Sequence, residues 1–415
     1  MQHYELFTLA NGLRVAVEPL AHARSVAVGI WIGAGANDER RGEAGAAHFL
    51  EHMLFKGTLR RNGRELAAWM DRIGGEVNAV TGRETTTYYA WVLAEYWVEA
   101  LELLAEMLLE SRLDPSDVER ERQVILEEIK GDDDAAEQRV MADFDQLLWG
   151  SHPLGRPITG TRRSVAGLSW QRLVALRREL YTPDNAVVCL VGAVDPGAAR
   201  EQVARLLGGW QGTRARPRPG PPVPRPGLRV RRRSIDQVHL VLGGPGPGLG
   251  DPALYSGMVL GTILGGGNSS RLFQRIREEE ALAYNVYSFH EAYRHAGVMG
   301  VYAAVRTEAA GRALALIRAE LERLAREPVS AEELERARAQ LKSSLLLGLE
   351  SVPERMHRMG EQLTLLGRTV PPEQVVARIE AVTAADVQAL AGRLLAGPQT
   401  LAAVGPIRRE DLLGA

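Results

Sequence analysis

The feature that most constrains this chain is a pentapeptide with two histidines and a glutamate, His48-Phe49-Leu50-Glu51-His52. On a helix of about 3.6 residues per turn, side chains at i, i+3 and i+4 share one face. His48 and His52 can therefore present ring nitrogens to the same metal ion, and Glu51 stands beside that point. The pentapeptide predicts a helix that carries part of a metal site.

The residues around this pentapeptide favour a buried helix over a solvated surface cluster. Small residues, Ala44-Gly45-Ala46-Ala47, precede it, and bulky apolar residues, Met53-Leu54-Phe55, follow it. Unpaired imidazoles and carboxylates are costly to bury in such surroundings. A metal site is therefore a better interpretation than a purely structural polar face. The H-x-x-E-H order is the inverzincin signature, the reverse of the commoner zinc-peptidase motif.

A catalytic zinc site normally has three protein ligands, so a third must come from elsewhere in the chain. The segment 115–130 predicts a helix rich in carboxylates. On local grounds both Glu127 and Glu128 can be the ligand, while most other carboxylates fit a solvated, ion-paired face. The predicted buried stripe of this helix is Val118, Val124, Ile125 and Ile129.

Together these segments resemble the pitrilysin/insulinase family of zinc metallopeptidases, and within it the short bacterial members and the mitochondrial processing peptidase. In that family the third ligand is a glutamate 76 residues beyond the second histidine, and 128 − 52 = 76 selects Glu128. The resemblance implies one Zn²⁺ per chain, bound by His48, His52 and Glu128. It also implies that Glu51 is the general base and that Glu121 supports the ligands without binding the ion.

Length and composition suit a two-domain globular protein that binds neither nucleic acid nor membrane. The chain has 415 residues, 45% of them hydrophobic and 25% charged, and a net charge of −2. It contains no apolar run of about 18 residues and no basic N-terminal region followed by an apolar stretch. The expected location is therefore the cytoplasm. The single cysteine, Cys189, lies in an apolar segment and is expected to act as a small hydrophobe.

The order of strand and helix signals predicts an α+β fold of two homologous domains, each a mostly antiparallel sheet with helices packed on it. The stretch 213–233 carries six prolines and many arginines with little to bury, which predicts a linker. We therefore expect a domain with the zinc site at 1–212 and a homologous domain at 234–415. The resemblance implies the same duplicated fold, paired across a central chamber.

The second half lacks the H-x-x-E-H motif, so its role must differ. Locally, Gly265-Gly266-Gly267 predicts a turn, and a phosphate loop is not supported because no Gly-Lys-Ser/Thr follows. The resemblance implies that Arg277 and Tyr284 hold the substrate backbone near the zinc. It also implies that the peptide pairs as an added strand at Asn78 and Ala79, where an ordinary edge strand is the local alternative.

The combined expectation is a zinc-dependent endopeptidase that hydrolyses peptides or unfolded polypeptide segments inside a closed chamber. Zn²⁺ lowers the pKa of water, and Glu51 takes its proton. Because one chain carries both the metal motif and the arginine–tyrosine pair, we expect a homodimer of complete subunits. The alternatives are a non-catalytic scaffold, as in respiratory complexes, and a maturation protease dedicated to one peptide.

Overall fold

The structure is a computed structural model that describes residues 4–413 of the chain. Within this range, no helix is both long enough and apolar enough to cross a lipid bilayer. The strands are β1 (Glu5–Thr8), β2 (Arg14–Pro19), β3 (Ser25–Ile32), β4 (Glu76–Thr81), β5 (Thr86–Leu93), β6 (Ala186–Gly192), β7 (Gly227–Arg232), β8 (Val238–Gly246), β9 (Ala283–Ala292), β10 (Gly297–Val305) and β11 (Thr400–Gly405). The α-helices are α1 (Ala46–Leu54), α2 (Gly63–Ile73), α3 (Trp97–Glu110), α4 (Pro115–Asp134), α5 (Ala136–Trp149), α6 (Arg162–Gly167), α7 (Trp170–Leu180), α8 (Pro196–Leu207), α9 (Leu254–Gly265), α10 (Ala310–Arg326), α11 (Ala331–Gly348), α12 (Val352–Leu366), α13 (Pro372–Ala381), α14 (Ala384–Ala396) and α15 (Glu410–Leu413).

The strands form two sheets with the same topology. The first sheet has the order β1-β2-β6-β3-β5-β4, and the second has the order β7-β11-β8-β10-β9. Adding five to each strand number of β2-β6-β3-β5-β4 gives the order of the second sheet. The one parallel pair of each sheet also corresponds, β2 with β6 and β7 with β11, and the other neighbours among the described strands are antiparallel. The predicted α+β fold with two homologous, mostly antiparallel sheets is confirmed.

The chain divides into two compact units, each built around one sheet. The first unit consists of the residues up to Ile129, Pro157–Pro219 and Leu347–Pro371, and the second of Lys130–Arg156, Gly220–Leu346 and the residues from Pro372 onward. These units differ from the predicted ranges 1–212 and 234–415 in one helical segment from each half of the sequence.

Two amphipathic helices account for this difference. Helix α5 comes from the first half of the sequence, but Val140 and Phe144 pack with strand residues of the second sheet, such as Val241. Helix α12 comes from the second half, but Met356 and Leu363 pack against one face of the first sheet. Each unit therefore contains residues from both halves of the sequence, and the limits of the two homologous domains stay a prediction.

The segment 213–233 forms more contacts than a linker with little to bury. Its C-terminal part includes β7, the edge strand of the second sheet. In its N-terminal part, Arg216 is only 5% exposed and donates to the Glu43 carboxylate at 2.6 Å. Arg214 donates to Asp38. Composition alone suggested an exposed connection, because it does not reveal that distant carboxylates pair with these arginines.

The first sheet supports the helix that carries the pentapeptide. Side chains of β3 alternate between two apolar clusters, with Ile30 in one and Trp31 in the other. Helix α1 packs into the Ile30 cluster through Phe49, Leu50 and Met53, which are almost fully buried. His48, Glu51 and His52 project from the remaining face of α1, so packing of the apolar residues fixes where the polar ones point.

Candidate metal centre

Helix α1 begins under tight local control. Its N-cap, Gly45, has a left-handed φ of 90° and provides no side-chain cap. The carboxylate of Glu39 provides one instead, accepting the N–H groups of Gly45 at 3.0 Å and Ala47 at 2.8 Å. A side chain at position 45 would be strained at this φ, and its Cβ would lie 2.6 Å from the Thr159 carbonyl oxygen. The start of the helix is therefore fixed by a glycine and a buried acid.

Helix α4 supplies the third member of the cluster from one edge of its buried stripe. Val118, Ile125 and Ile129 are almost fully buried, as predicted. The prediction for Val124 is wrong, because this side chain is 52% exposed. Position 124 lies about 100° around the helix from position 125 and so falls outside the stripe. Glu128 lies next to Ile129 in the helix, and its side chain is 41% exposed.

The structure brings His48, His52 and Glu128 to one point. The two histidine Nε2 atoms are 3.2 Å apart, and the Glu128 carboxylate oxygens lie 3.6 Å from that of His48 and 3.8 Å from that of His52. Zinc bonds of about 2.0–2.2 Å in a tetrahedron place ligand atoms about 3.3–3.6 Å apart. Two imidazoles and a carboxylate at these separations fit Zn²⁺. Among the described residues Glu127 is not part of this group.

His52 is held in one orientation by a buried acid. Its Nδ1 lies 2.8 Å from Oε1 of Glu121, and the other oxygen of Glu121 accepts from Lys56 Nζ at 2.7 Å. Burial by itself raises the pKa of Glu121, but the bonds from His52 and Lys56 outweigh burial and lower the pKa. An ionised Glu121 assigns the proton of His52 to Nδ1, which leaves the Nε2 lone pair directed at Glu128 and His48.

Desolvation keeps the imidazole ring of His48 neutral. Burial, together with the neighbouring charge of His52, lowers the pKa of His48 to about 4. The ring is therefore neutral near pH 7, which is the form that binds a metal ion. Burial also lowers the pKa of His52, but the Glu121 hydrogen bond and the charges of Glu121, Glu128 and Glu51 reverse the effect and raise it. The pKa of His48 is thus lowered by burial, whereas the pKa of His52 is raised by its acidic neighbours.

Glu51 lies on the same face of α1 but outside the group of candidate ligands. Thr81 Oγ1 donates to Glu51 Oε2. Burial raises the pKa of Glu51, and the hydrogen bond from the Thr81 hydroxyl offsets part of the increase. A partly buried carboxylate with a raised pKa suits a general base. Sequence analysis missed Thr81, although Thr81 shares a strand face with Ala79 and a carboxylate removed from water requires donors.

Asn78 and Ala79 lie in β4, which is an edge strand of the first sheet. The side-chain oxygen of Asn78 accepts the backbone N–H of Ala79 at 2.8 Å. Ala79 is 8% exposed, whereas Asn78 is exposed. Helix α1 packs beside this strand. The first unit therefore brings the predicted peptide-binding edge and the metal cluster into one neighbourhood.

Arg277 and Tyr284 lie in the second unit, where they contact each other. Arg277 belongs to a short π-helix, Phe273–Glu279, and Tyr284 is near the start of β9, an edge strand of the second sheet. Arg277 Nη1 donates to the Tyr284 carbonyl oxygen at 3.1 Å, and its guanidinium lies 4.7 Å from the centre of the tyrosine ring. Tyr284 is 78% exposed. The pair is thus prearranged by contacts within its own unit.

Comparison with known proteins shows that both halves of the sequence match models of one peptidase family. Residues 14–162 match the family model described as insulinase, peptidase family M16. Residues 167–341 match the model described as the peptidase M16 inactive domain, which agrees with the lack of H-x-x-E-H there. The chain is 36% identical over 400 residues to YmxG, an uncharacterized zinc protease of Bacillus subtilis strain 168, and this match covers 96% of the chain and 98% of the relative.

Solved structures share the whole fold. A peptidase M16 inactive domain from Pseudomonas fluorescens has a TM-score of 0.90 at 19% identity, covering 98% of this chain and 99% of that one. A chain of complex III2 from Candida albicans has a TM-score of 0.85 at 19% identity, covering 97% and 96%. The two family models and the 36% identity to YmxG confirm the resemblance to the pitrilysin/insulinase family, and the solved structures agree with the observed fold. The chain belongs to peptidase family M16, whose curated members similar to it are named zinc proteases.

Proposed function

We propose that this chain is a zinc-dependent endopeptidase that hydrolyses peptides or unfolded polypeptide segments inside a closed chamber. The observation that carries the proposal is the convergence of His48, His52 and Glu128 within 4.8 Å of one another. Beside them, Glu51 is a partly buried carboxylate that is not among these ligands. A structural metal site has no need of such a base, whereas hydrolysis does.

Each polar residue of the cluster has a defined task in this mechanism. His48, His52 and Glu128 would hold the ion, and Glu121 with Lys56 keeps His52 in the binding tautomer. Bound Zn²⁺ supplies a Lewis acid that lowers the pKa of water to about 7. Glu51 takes a proton from the attacking water and passes it to the nitrogen of the leaving amine. The carboxylate thereby returns to its ionised form at the end of each cycle.

The substrate would bind mainly through its backbone. We assign strand addition to β4 at Asn78 and Ala79, which gives affinity with little sequence preference. Arg277 and Tyr284 would orient the peptide and help to bear charge on the oxyanion. Because one chain carries both sets of residues, we propose a homodimer of complete subunits. The cytoplasmic location expected from the sequence stays a prediction.

A non-catalytic scaffold is the second candidate, since a chain of complex III2 has this fold. The intact arrangement of His48, His52, Glu128 and Glu51 favours hydrolysis over that role. A maturation protease dedicated to one peptide has the same chemistry and differs only in its substrate range. A cleavage assay on a mixed peptide library, with and without a chelator, separates the three. A scaffold is inert in both arms, and a dedicated protease cuts very few library members.

The decisive variant is Glu51→Gln, which keeps the size of the side chain but removes the base. We expect it to retain one zinc per chain, measured by elemental analysis, and to lose about 10³-fold in turnover. Glu127→Gln makes the same chemical change on the exposed face of α4 and should leave both quantities unchanged. Turnover of Glu51→Gln at the wild-type rate would show that another group is the base.

A further inference from the structure

We infer that Thr81 is a positioning residue that fixes the Glu51 carboxylate relative to the strand that pairs with substrate. The inference rests on the proposed function, because it assigns a task within that reaction. Thr81 itself touches neither of the candidate histidine ligands in the described contacts. It acts through Glu51, and its effect is therefore one of geometry.

The hydroxyl of Thr81 holds the Glu51 carboxylate by donating to its Oε2 atom. Thr81 is 8% exposed, so water competes little for this bond. A glutamate side chain has three rotatable bonds, and a fixed donor restricts that freedom. The acid is thus held in one conformation before substrate arrives.

The position of Thr81 in β4 ties this clamp to the peptide-binding edge. Thr81 is the last residue of β4 and comes two residues after Ala79, so both side chains lie on the same face of the strand. Pairing with β5 fixes their register, Ala79 opposite Tyr88 and Thr81 opposite Thr86. The same strand would therefore position both the peptide paired with β4 and the carboxylate bonded to Thr81. The base would not have to find the substrate by rotating its own side chain.

Positioning by one strand matters because general-base catalysis depends on a short distance between the base and the proton that it takes. A misplacement of about 1 Å can cost about 10²-fold in rate. Removing the Thr81 hydroxyl removes this donor, so the Glu51 side chain gains rotational freedom. The loss should appear in kcat, because the strand edge that binds the peptide is unchanged.

The test compares Thr81→Val, which removes the hydroxyl at nearly constant volume, with Thr81→Ser, which retains it. Thr87→Val is the matched control, because Thr87 is a buried threonine on β5 that faces the opposite side of the sheet from Thr81. We expect Thr81→Val to lower kcat about 10- to 100-fold, with KM and zinc content within twofold of wild type. Thr81→Ser should recover to within about threefold of wild type, and Thr87→Val should match wild type.

Crystal structures of zinc-loaded wild type and Thr81→Val give a readout that does not depend on turnover. We expect the Glu51 carboxylate to be in one conformation in wild type and displaced or spread over several in the variant. An unchanged conformation, a wild-type kcat for Thr81→Val, or loss of zinc from that variant would each overturn the inference. If the zinc-loaded wild type cleaves nothing in the library, the proposed function fails, and the two crystal structures still decide the positioning role.

Discussion

Helices α1 and α9 occupy equivalent places in the two sheets but differ completely in chemistry. Helix α1 is the first α-helix after β3, and α9 is the first α-helix after β8. Strands β3 and β8 hold the same place in the two sheets. Helix α1 carries His48, Glu51 and His52, whereas α9 contains no histidine and no carboxylate, and most of its residues are buried. Buried polar groups are costly unless they have partners. In α1, Glu51 accepts from Thr81, His52 pairs with Glu121, and Nε2 of His48 lies beside Glu128, whereas Nδ1 of His48 is buried and has no hydrogen-bond partner within residues 4–413.

The edge strands of the two sheets also correspond in position and differ in their side chains. By topology β4 and β9 correspond, and each is the last strand of its sheet. Asn78 and Ala79 lie on β4, and Tyr284 lies on β9. Two equivalent edges thus carry different residues that we propose to contact the peptide. The two edges therefore correspond in strand order but carry different side chains.

The largest expected difference between α1 and α9 concerns the metal ion. Removing Zn²⁺ with a chelator should lower peptide hydrolysis at least about 10³-fold, because the ion contributes several kcal/mol to the barrier. Adding Zn²⁺ back should restore the rate. Thr262→Val in α9 should change neither zinc content nor activity. Full activity of the metal-free protein would break the comparison.

The next effect concerns the acid that orients His52. Glu121→Gln should weaken zinc affinity about 10- to 100-fold, since an amide no longer fixes the His52 tautomer with a negative charge. Competition with a chromogenic chelator measures this affinity. Glu119→Gln, two residues earlier on α4 and largely exposed, is the control and should behave as wild type. Unchanged affinity in Glu121→Gln would exclude Glu121 from the orienting role.

The second unit has a buried acid of its own, which arginines neutralise. Asp143 is fully buried and accepts from Arg231 at 2.8 Å, from Arg229 at 3.1 Å and from Arg139. Burial raises its pKa, but the hydrogen bonds of Arg231 and Arg139 outweigh burial and hold the pKa well below its ordinary value. Asp143→Asn should therefore destabilise this unit by about 2–3 kcal/mol at pH 7, measured by urea unfolding.

The sign of the pH dependence follows from this lowered pKa. The stabilisation by Asp143 is fully present above the pKa of an unfolded aspartate, about 3.9, and is lost as the pH falls below it. The difference between wild type and Asp143→Asn should shrink on going from pH 7 to pH 3. Asp134→Asn, at an exposed position, should show no such difference at either pH. A constant difference would mean that packing, and not charge, accounts for the effect.

The smallest expected effect concerns the beginnings of the two helices. The Glu39 carboxylate caps α1, whereas the N-cap of α9, Ala253, has no side-chain hydrogen bond. Glu39→Gln should cost about 1 kcal/mol and speed amide exchange at Gly45 and Ala47, because the charge facing the helix N-terminus is lost. Glu95→Gln, at an exposed position, is the control. Unaltered exchange would show that the acid is dispensable.

The sequence predicted the helices and strands better than it predicted which of them pack against each other. The pentapeptide predicted a helix, which is observed at Ala46–Leu54, and the helix predicted at 115–130 is observed at Pro115–Asp134. Periodicity identifies an apolar face but does not say which sheet it will cover, so the placements of α5 and α12 were not predicted. Spacing and family resemblance selected Glu128, which the structure places beside His48. Thr81 and Glu39 were missed because hydrogen bonds between distant segments leave no periodic signal.

The placement of α12 has a consequence for synthesis of the protein on the ribosome. The first sheet is complete once β6 has been made, yet Met356 and Leu363 cover one of its faces. Until that later helix leaves the exit tunnel, Trp31 and its apolar neighbours lack this cover. This apolar face therefore stays without α12 while about 160 further residues are translated, and transiently exposed apolar surface of this kind favours aggregation or binding by chaperones.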